Sequence, residues 1–436
     1  MGGLFCGIDI GTTNLKVLLL DGGGRTAWVK SISAPRLNDG LGVVTDAAAL
    51  VGTLEEVIIE GWQAVGGGVP LAAIATTGTG EDGIGVTGDL KPLCHAIAWW
   101  DKRAVADGEA LNRLPETQAH PEIRFDFCRT GSKWLWLRRE RPEDLREARF
   151  WLTLTDYPAC IWAGEPFISE TLAARTGCYD VFARDWIAPL LRLTKAPPMP
   201  RVLKAGDIIG TMRPGALRAA GAASAQTVLA VGGHDHPLAS SALRRIHPLA
   251  RVDSLGTANG TYGETTTPRH GTAESGLELS VPVAGGPGVA MIGPTEFAVI
   301  IHATTTDDDF IRSFLAQPHL PGTPNMAGDD PAARLRRAFE SVTFRARAFL
   351  RAMAQFGVPA GPLYSTGGWT RSTALVELRA SIYGEPVIVI DEPELTVLSA
   401  ALFAGEATLG QAPDFARHHC LVTVDPRQDW VEAYRD

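Results

Sequence analysis

The sequence predicts an α/β protein of two related domains, on three observations. A chain of 436 residues is too long for one ordinary hydrophobic core, so two or three domains are expected. β-branched apolar runs alternate with stretches of helical periodicity, as in α/β folds. A strand, a Gly-Thr turn and a second strand occur around Gly11 and again around Gly256. This internal echo indicates one such hairpin in each half of the chain.

Composition excludes several classes of protein. Hydrophobic residues at 45% and charged residues at 20% are typical of a globular domain, and a net charge of -9 does not favour a nucleic-acid surface. The six cysteines contain no CxxC pair, so neither a zinc site nor a disulfide framework is predicted. We predict no signal peptide and no membrane helix, and therefore expect a cytoplasmic protein without membrane or nucleic-acid partners.

The first hairpin carries a candidate phosphate site. Two apolar runs flank Gly11-Thr12-Thr13-Asn14, and Lys16 follows. Backbone N–H groups at a glycine turn, two hydroxyls and an ammonium suit phosphate oxygens. Asp9, on the first strand, could hold Mg²⁺ directly or through water. The alternative is a plain hairpin with Asn14 in the left-handed conformation, which leaves Asp9 unexplained.

The loop after the next strand matches GxGxxG at 78–83 but does not predict a dinucleotide site. That motif should open a helix, whereas an extended segment and a turn follow here. Two adjacent carboxylates, Glu81 and Asp82, would also repel a pyrophosphate. They are suited to accept hydrogen bonds from the hydroxyls of a sugar. Solvent-exposed loop acids are the alternative.

Before this strand, apolar residues recur at helical spacing and predict an amphipathic helix over 46–65.

Two further segments have a composition typical of carbohydrate sites. Trp99 and Trp100 stand directly before Asp101. Together they offer apolar ring faces to C–H groups and a charged group to hydroxyls. Core tryptophans with a surface ion pair are the alternative. Lys133 lies early in a helix that opens near Gly131. A strand over 150–154 is followed by Asp156, which we predict to cap the next helix.

The segment around Asp235 is the candidate reaction centre. A buried strand over 227–231 leads into Gly232-Gly233-His234-Asp235-His236 and then a helix of small apolar residues. Open α/β sheets bind ligands at the carboxyl ends of their strands. The helix dipole would favour an ionised Asp235, which suits a general base or a metal-associated acid. An ordinary N-cap is the alternative.

The second half repeats these signals. Residues 251–261 form the second strand–turn–strand, with Gly256 and Thr257 in the turn. The three acids 307–309 are predicted to cap a helix. A long helix is predicted over 334–356, and a strand, the turn Gly367-Gly368 and a helix start follow over 363–372. The small residues after Glu394 allow close helix packing. The tail after Pro413 is predicted to lie on the surface.

Taken together, these motifs resemble the FGGY family of carbohydrate kinases over nearly the whole chain. The order and spacing of the segments carry the resemblance: 7–16 for the first phosphate motif, 78–82, 99–103 and 131–134 for the sugar, 233–236 for the catalytic acid, 254–257 for the second phosphate motif, and 367–372 with 394–401 for adenosine.

The resemblance implies two ribonuclease H-like domains of the actin/hexokinase/Hsp70 superfamily with a cleft between them. Residues 1–246 would bind sugar and phosphate, and 247–436 the nucleotide. It implies an ATP- and Mg²⁺-dependent kinase for a small sugar or polyol, and allows a homodimer. The implied residues are Asp235 as general base; Asp9 and Asp235 for the metal; Glu81, Asp82, Trp100, Asp101, Lys133 and His236 for the substrate; and Gly11, Thr12, Thr13, Asn14, Lys16, Gly256, Thr257, Gly367, Gly368, Trp369 and Ser372 for the nucleotide.

The chain also departs from the family pattern. It is shorter than most members, with the loss between 263 and 360, and 302–306 replaces a small Gly/Ala-rich segment. Glu81 falls where glycerol and erythritol kinases place an acid, which favours a polyol or short sugar. The alternatives are an Hsp70-like or actin-like ATPase, and a non-catalytic or degenerate sensor of the same fold.

Overall fold

The computed structural model of the protein describes residues 3–256, 259–269 and 275–435. These residues form two compact units. The first comprises Met1–Ser241, Ser280–Pro287 and Thr396–Phe415, and the second comprises Ala242–Leu279, Gly288–Leu395 and Ala416–Asp436. Within the described ranges, no helix combines the length and the hydropathy that a membrane span requires.

The strands fall in both units. They are β1 Leu4–Ile10, β2 Asn14–Asp21, β3 Thr26–Ser33, β4 Leu37–Asn38, β5 Val43–Thr45, β6 Ala73–Gly78, β7 Gly83–Val86, β8 Ala96–Ile97, β9 Phe150–Thr153, β10 Phe167–Ser169, β11 Tyr179–Asp180, β12 Asp185–Trp186, β13 Arg201–Leu203, β14 Ile208–Thr211, β15 Val228–His234, β16 Arg251–Leu255, β17 Asn259–Thr265, β18 Glu278–Ser280, β19 Val289–Thr295, β20 Leu363–Thr366, β21 Val387–Ile390 and β22 Leu421–Val424.

The helices alternate with these strands. They are α1 Ala47–Ala64, α2 Val105–Asn112, α3 Pro115–Gln118, α4 Thr130–Glu140, α5 Tyr157–Ala163, α6 Glu170–Ala173, α7 Ala188–Leu193, α8 Ala216–Ala219, α9 Asp235–Ile246, α10 Phe297–Thr304, α11 Asp308–Leu315, α12 Pro331–Gln355, α13 Thr373–Tyr383, α14 Leu395–Leu409 and α15 Gln428–Ala433.

The first unit is built on a mixed sheet. Its described strands run in the order β14-β15-β6-β1-β2-β3. The β1–β2 hairpin is antiparallel, whereas β1, β6 and β15 are parallel neighbours. Ile10 pairs with Gly78, and Gly78 pairs with His234. The carboxyl ends of three parallel strands therefore lie in register at one edge of the sheet.

The second unit has a sheet of the same design. Its described strands run in the order β18-β19-β17-β16-β20-β21-β22. Its hairpin is β16–β17, and β16, β20 and β21 are parallel neighbours. The predicted hairpin in each half is therefore confirmed, as is the α/β fold class.

Local chemistry explains the helices that were predicted. In α1, Leu50, Leu54 and Ile58 are buried at helical spacing, and the Asp46 carboxylate caps the first turn. The small residues of α14 allow a close approach to β1, since a Cβ on Gly7 would lie 2.2 Å from the Val397 carbonyl oxygen. Asp307 caps α11 by accepting from the Phe310 amide, as expected of the three acids there.

Two predictions were wrong. The tail after Pro413 does not lie on the surface throughout: β22 extends the second sheet, and Trp430 and Tyr434 are buried in its core. Asp156 stands at the start of α5, but its side chain makes no capping bond to that helix. Instead it accepts hydrogen bonds from Ser169 and Thr153, joining the ends of β10 and β9. Sequence patterns do not reveal such long-range partners.

Candidate active site

The turn between β1 and β2 is tightly closed. The Gly11 amide donates to the Asn14 carbonyl oxygen at 3.0 Å, and a Cβ on Gly11 would lie 2.8 Å from that oxygen. Asn14 begins β2 opposite Ser33, and its φ is not positive, so the plain-hairpin alternative with a left-handed Asn14 is wrong. Thr13 and Asn14 are exposed. The turn therefore presents polar groups at the carboxyl end of β1.

Asp9 and Lys16 face one another across this hairpin. They form a register pair, one residue from the end of β1, and Asp9 also pairs with Thr77 on β6. Asp9 is 8% exposed, whereas Lys16 is half-buried. Charged side chains of opposite sign thus lie behind the turn, on its own strands.

The loop 78–82 follows β6 at the same edge of the sheet. It does not open a helix, since β7 begins at Gly83, so the extended segment predicted after the motif is confirmed. A Cβ on Gly78 would lie 2.4 Å from the Ile10 carbonyl oxygen, and one on Gly80 would lie 3.2 Å from the His234 ring. Glycines at these places let the loop pack against both neighbouring strand ends.

The two acids of this loop are buried, so they are not solvent-exposed loop acids. Glu81 accepts from Arg175 Nε at 2.6 Å, and Asp82 accepts from Arg36 Nη1 at 3.2 Å. Burial raises the pKa of Asp82, although Lys133 and Arg36 oppose that shift. Among the described residues, no donor bonds to Asp82 Oδ1, so this buried oxygen has an unused capacity to accept a hydrogen bond.

Arg36 links the loop to the hairpin turn. Its Nη2 donates to the carbonyl oxygens of Gly11 and Thr12, each at 3.2 Å, while Nη1 contacts Asp82. Its guanidinium also lies 5.2 Å from the centre of the Trp100 ring. Sequence reasoning missed Arg36 because this residue, which follows β3, belongs to no motif. A lone arginine after a proline carries no sequence signal for this role.

The tryptophan pair lies beside the same turn. Trp99 Nε1 donates to the Thr12 hydroxyl at 2.9 Å, and the two indole rings meet edge to face at 5.7 Å. Both rings are half-buried. Trp99 is thus held by the β1–β2 turn, and part of each ring is accessible.

Asp101 and Lys133 are held by other protein groups. Asp101 binds Arg103, whose hydrogen bonds and charge outweigh burial and lower the pKa of the carboxyl. Lys133 is 1% exposed, and its ammonium donates to the carbonyl oxygens of Glu81, Ile97 and Ala98 at 3.1 to 3.4 Å. Burial lowers the pKa of this lysine. Lys133 therefore ties the acidic loop to the segment before the tryptophans.

Asp235 directly follows the third strand of this edge. β15 finishes at His234 and α9 begins at Asp235. Asp235 Oδ1 accepts from the His236 amide at 2.7 Å and lies 3.3 Å from His234 Nε2. The Asp235 side chain is 28% exposed, against 6% for Glu81 and 0% for Asp82. Of these acids, Asp235 is the one that a substrate reaches most easily.

Thr171 supports the backbone immediately before Asp235 and was also missed from sequence. Its hydroxyl accepts from the His234 amide at 3.0 Å, while the Thr77 hydroxyl donates to the Gly233 carbonyl oxygen at 2.8 Å. Gly233 has φ +142°, and a Cβ there would lie 2.2 Å from Thr171 Oγ1. Two hydroxyls and one glycine thus fix where the strand delivers Asp235.

In the second unit, Gly256 and Gly367 lie at neighbouring strand ends. Gly367 has φ +102°, and a Cβ there would lie 2.3 Å from the Leu255 carbonyl oxygen, while Gly368 is exposed. Thr257 lies outside the described residues. Trp369 packs 5.2 Å from Phe297 at the edge of a core cluster.

Ser372 caps the following helix. Its hydroxyl accepts from the Leu375 amide at 3.2 Å and donates to the Leu315 carbonyl oxygen at 2.7 Å. It thereby fixes the start of α13, immediately after the glycine turn.

Comparison with known proteins fits this geometry. Residues 4–241 match the N-terminal domain of the FGGY family of carbohydrate kinases, and 296–408 match its C-terminal domain. A glycerol kinase of Trichlorobacter lovleyi is 26% identical over 92% of this chain and 89% of its own length. A xylulose kinase of Streptomyces coelicolor is 25% identical over 99% of this chain and 93% of its own.

The fold agrees with solved structures. A ligand-bound xylulose kinase from Lactobacillus acidophilus superposes with a TM-score of 0.84, at 19% identity, over 99% of this chain and 95% of that one. The two matched domains together span more than half of the sequence. The chain belongs to the FGGY family of carbohydrate kinases, and it is an enzyme that transfers phosphate to a sugar or polyol.

Proposed function

We propose that this enzyme phosphorylates one hydroxyl of a ketopentose, ketohexose or tetritol with ATP, and that Asp235 is the general base. One observation supports this most: Ile10, Gly78 and His234 lie in register on parallel strands. The phosphate-type turn, the acidic loop and Asp235 follow these residues directly. A sugar hydroxyl and a phosphate could thus meet at one sheet edge.

Asp235 has the exposure and the setting of a base. It is the first residue of α9. One oxygen is held by the His236 amide, and the side chain is partly open. Phosphoryl transfer passes through a loose transition state, so orientation of the attacking hydroxyl is the main contribution of this group.

The residues present fit Mg²⁺. Asp9 lies one residue before the end of β1, and Asp235 directly follows β15 at the same edge of the sheet. Mg²⁺ keeps several waters and takes one or two carboxylates together with phosphate oxygens. Asp9 and Asp235 would be these carboxylates. When bound, the ion neutralises charge on the phosphates. Gly11, Thr12, Thr13, Asn14 and Lys16 would position the transferring phosphate beside it.

The substrate set follows from the buried network. Glu81 and Asp82 would accept from sugar hydroxyls, with Arg175 and Arg36 fixing their orientation. Trp100 would offer a ring face to C–H groups. Asp101, Lys133 and His236 complete the set that we propose. The names of relatives, glycerol kinase, xylulose kinase and L-fuculokinase, support the coarser class of a small sugar or polyol.

The nucleotide would use the second unit. Gly368 is exposed, and Gly367 lies close to the Leu255 carbonyl oxygen. A ligand that lies along this turn could contact its backbone. Gly256, Thr257, Trp369 and Ser372 are the other groups proposed for this task. A homodimer is also part of this proposal.

ADP release tests this proposal. Wild type and Asp235→Asn are assayed with Mg-ATP across ketopentoses, ketohexoses, tetritols, glycerol and aldonates. We expect one substrate class to be preferred by wild type, and turnover in the variant to fall about 10²- to 10⁴-fold, the usual contribution of a general base. The melting temperature of the variant provides the control for folding. Equal, low ADP release in both proteins would instead support a binding or sensing role.

A further inference from the structure

A pocket lies in the first unit, and none of the residues that line it belongs to the proposed active site. Its volume is about 1020 Å³. The walls come from the end of α4, from β11 and β12, from the end of α7 and from the proline-rich connection that precedes β13. This is large enough to hold a small metabolite.

The lining is strongly basic. It contains one carboxylate, that of Asp185, and five cationic side chains: Arg138, Arg184, Arg192, Lys195 and Arg201. Arg184 is paired with Glu170 at 2.6 Å. The other four cations have no carboxylate within ion-pair distance among the described residues. In a chain of net charge -9, such a concentration of uncompensated positive charge favours an anionic ligand.

Two of these cations also lie on unusual backbone. The described chain has four non-glycine residues with positive φ: Leu90, Arg184, Lys195 and Asn325. Arg184 has φ 57° and Lys195 has φ 51°, and both line this pocket. Lys195 follows α7, where glycine would take the left-handed conformation without steric penalty. A lysine at this place therefore points to a task for its side chain.

The remaining lining is rigid and apolar. Trp186 packs edge to face on Tyr179 with ring centres 5.2 Å apart. Pro197, Pro198 and Pro200 stiffen the opposite wall. The Lys195 carbonyl oxygen accepts from Arg138 Nε at 3.3 Å, which holds two cationic residues together. Hydrogen bonds to the protein hold the guanidinium groups of Arg138 and Arg184 in place, so these two groups lose little freedom when they bind.

We propose that this pocket binds a small phosphorylated metabolite carrying at least two negative charges. Arginine forks match phosphate oxygens in geometry, and the lysine adds a point charge. The apolar wall would contact the carbon skeleton. The site is separate from the sheet edge that carries Asp235, so it does not depend on the function proposed above.

Calorimetric titration with pyrophosphate, in Mg²⁺-free buffer at fixed ionic strength, tests the proposal. We expect saturable binding by wild type, and affinity about tenfold weaker in Lys195→Gly and in Arg192→Gln, since each loses a charge-assisted contact. Lys195→Gly should also melt about 1–3 °C higher because its backbone strain is relieved. Lys195→Gln, which keeps the strain, should weaken binding without this gain.

Two control variants locate the binding. Arg113→Gln removes an exposed arginine outside the pocket and should bind pyrophosphate as wild type does. Lys16→Gln removes a cation of the β1–β2 hairpin and should also bind normally. Absence of saturable binding, loss of binding in Lys16→Gln, or equal affinity for succinate would each overturn the proposal.

Discussion

The two units share one sheet topology but use their first strand differently. In each, an antiparallel hairpin is followed by two parallel neighbours and an antiparallel edge strand: β1–β2 with β6, β15 and β14, and β16–β17 with β20, β21 and β22. In the first unit Asp9 stands two residues before the turn glycine Gly11. In the second, Asp253 stands three residues before Gly256.

That one-residue difference determines the face of the sheet on which each acid lies. Side chains alternate between the faces of a strand, so a shift of one position relative to the turn reverses the face. Asp253 is fully buried and bonded to Arg379 Nε and Nη2, each at 2.7 Å, and to the Tyr383 hydroxyl at 2.8 Å. The same fold element thus carries a structural ion pair in one unit and a candidate metal-binding acid in the other.

The largest effect on the free energy of unfolding is expected when the buried ion pair of Asp253 and Arg379 in the second unit is broken. Arg379→Met leaves the Asp253 carboxylate buried without its cation, at a cost of about 3–5 kcal/mol in the free energy of unfolding. Denaturant unfolding measures this cost. The double variant Asp253→Asn with Arg379→Met should recover a large part of it, because no buried charge then remains. A loss below about 1 kcal/mol in the single variant would contradict the structural assignment.

In the first unit, the buried acid Asp156 should make the free energy of unfolding depend on pH. Asp156 accepts bonds from Ser169 and Thr153 and, in the described part of the chain, has no cation within ion-pair distance. Burial raises its pKa to about 6 from 3.8. Its folded pKa exceeds its unfolded pKa, so its stabilising contribution is full below about pH 4 and is lost as pH rises through 6.

Unfolding free energies between pH 4 and 7 measure this effect. Relative to Asp156→Asn, wild type should lose about 2 kcal/mol of stability across that range. Ser372→Ala changes no titratable group and should retain the wild-type dependence on pH. A difference between wild type and Asp156→Asn that is flat with pH would contradict the raised pKa.

The smallest effect is expected at the start of α13 in the second unit. Ser372→Ala removes an N-cap and should cost about 1 kcal/mol in the free energy of unfolding. Ser372→Asn supplies another capping group and should cost less. Equal losses in the two variants would show that the cap is not the source of the effect.

Sequence reasoning found what depends on local pattern. Hairpins, the amphipathic α1 and the glycine turns follow from periodicity and residue type, and the apolar run over 227–231 placed Asp235 at a strand end. It missed Arg36, Arg175 and Thr171, because each acts through a partner at least 46 residues away. The surface position predicted for the tail after Pro413 was also wrong. The strand β22 is short and becomes part of the sheet only by pairing with β21, which the sequence does not show.

The most direct test of the comparison replaces one acid in each unit. Asp9→Asn and Asp253→Asn are measured for melting temperature and for ADP release with the preferred substrate. The account predicts that Asp9→Asn melts within about 2 °C of wild type and loses about 100-fold or more in turnover. Asp253→Asn should melt several degrees lower yet keep near-normal turnover while folded. The reverse pattern, with turnover lost at Asp253 and stability lost at Asp9, would contradict it.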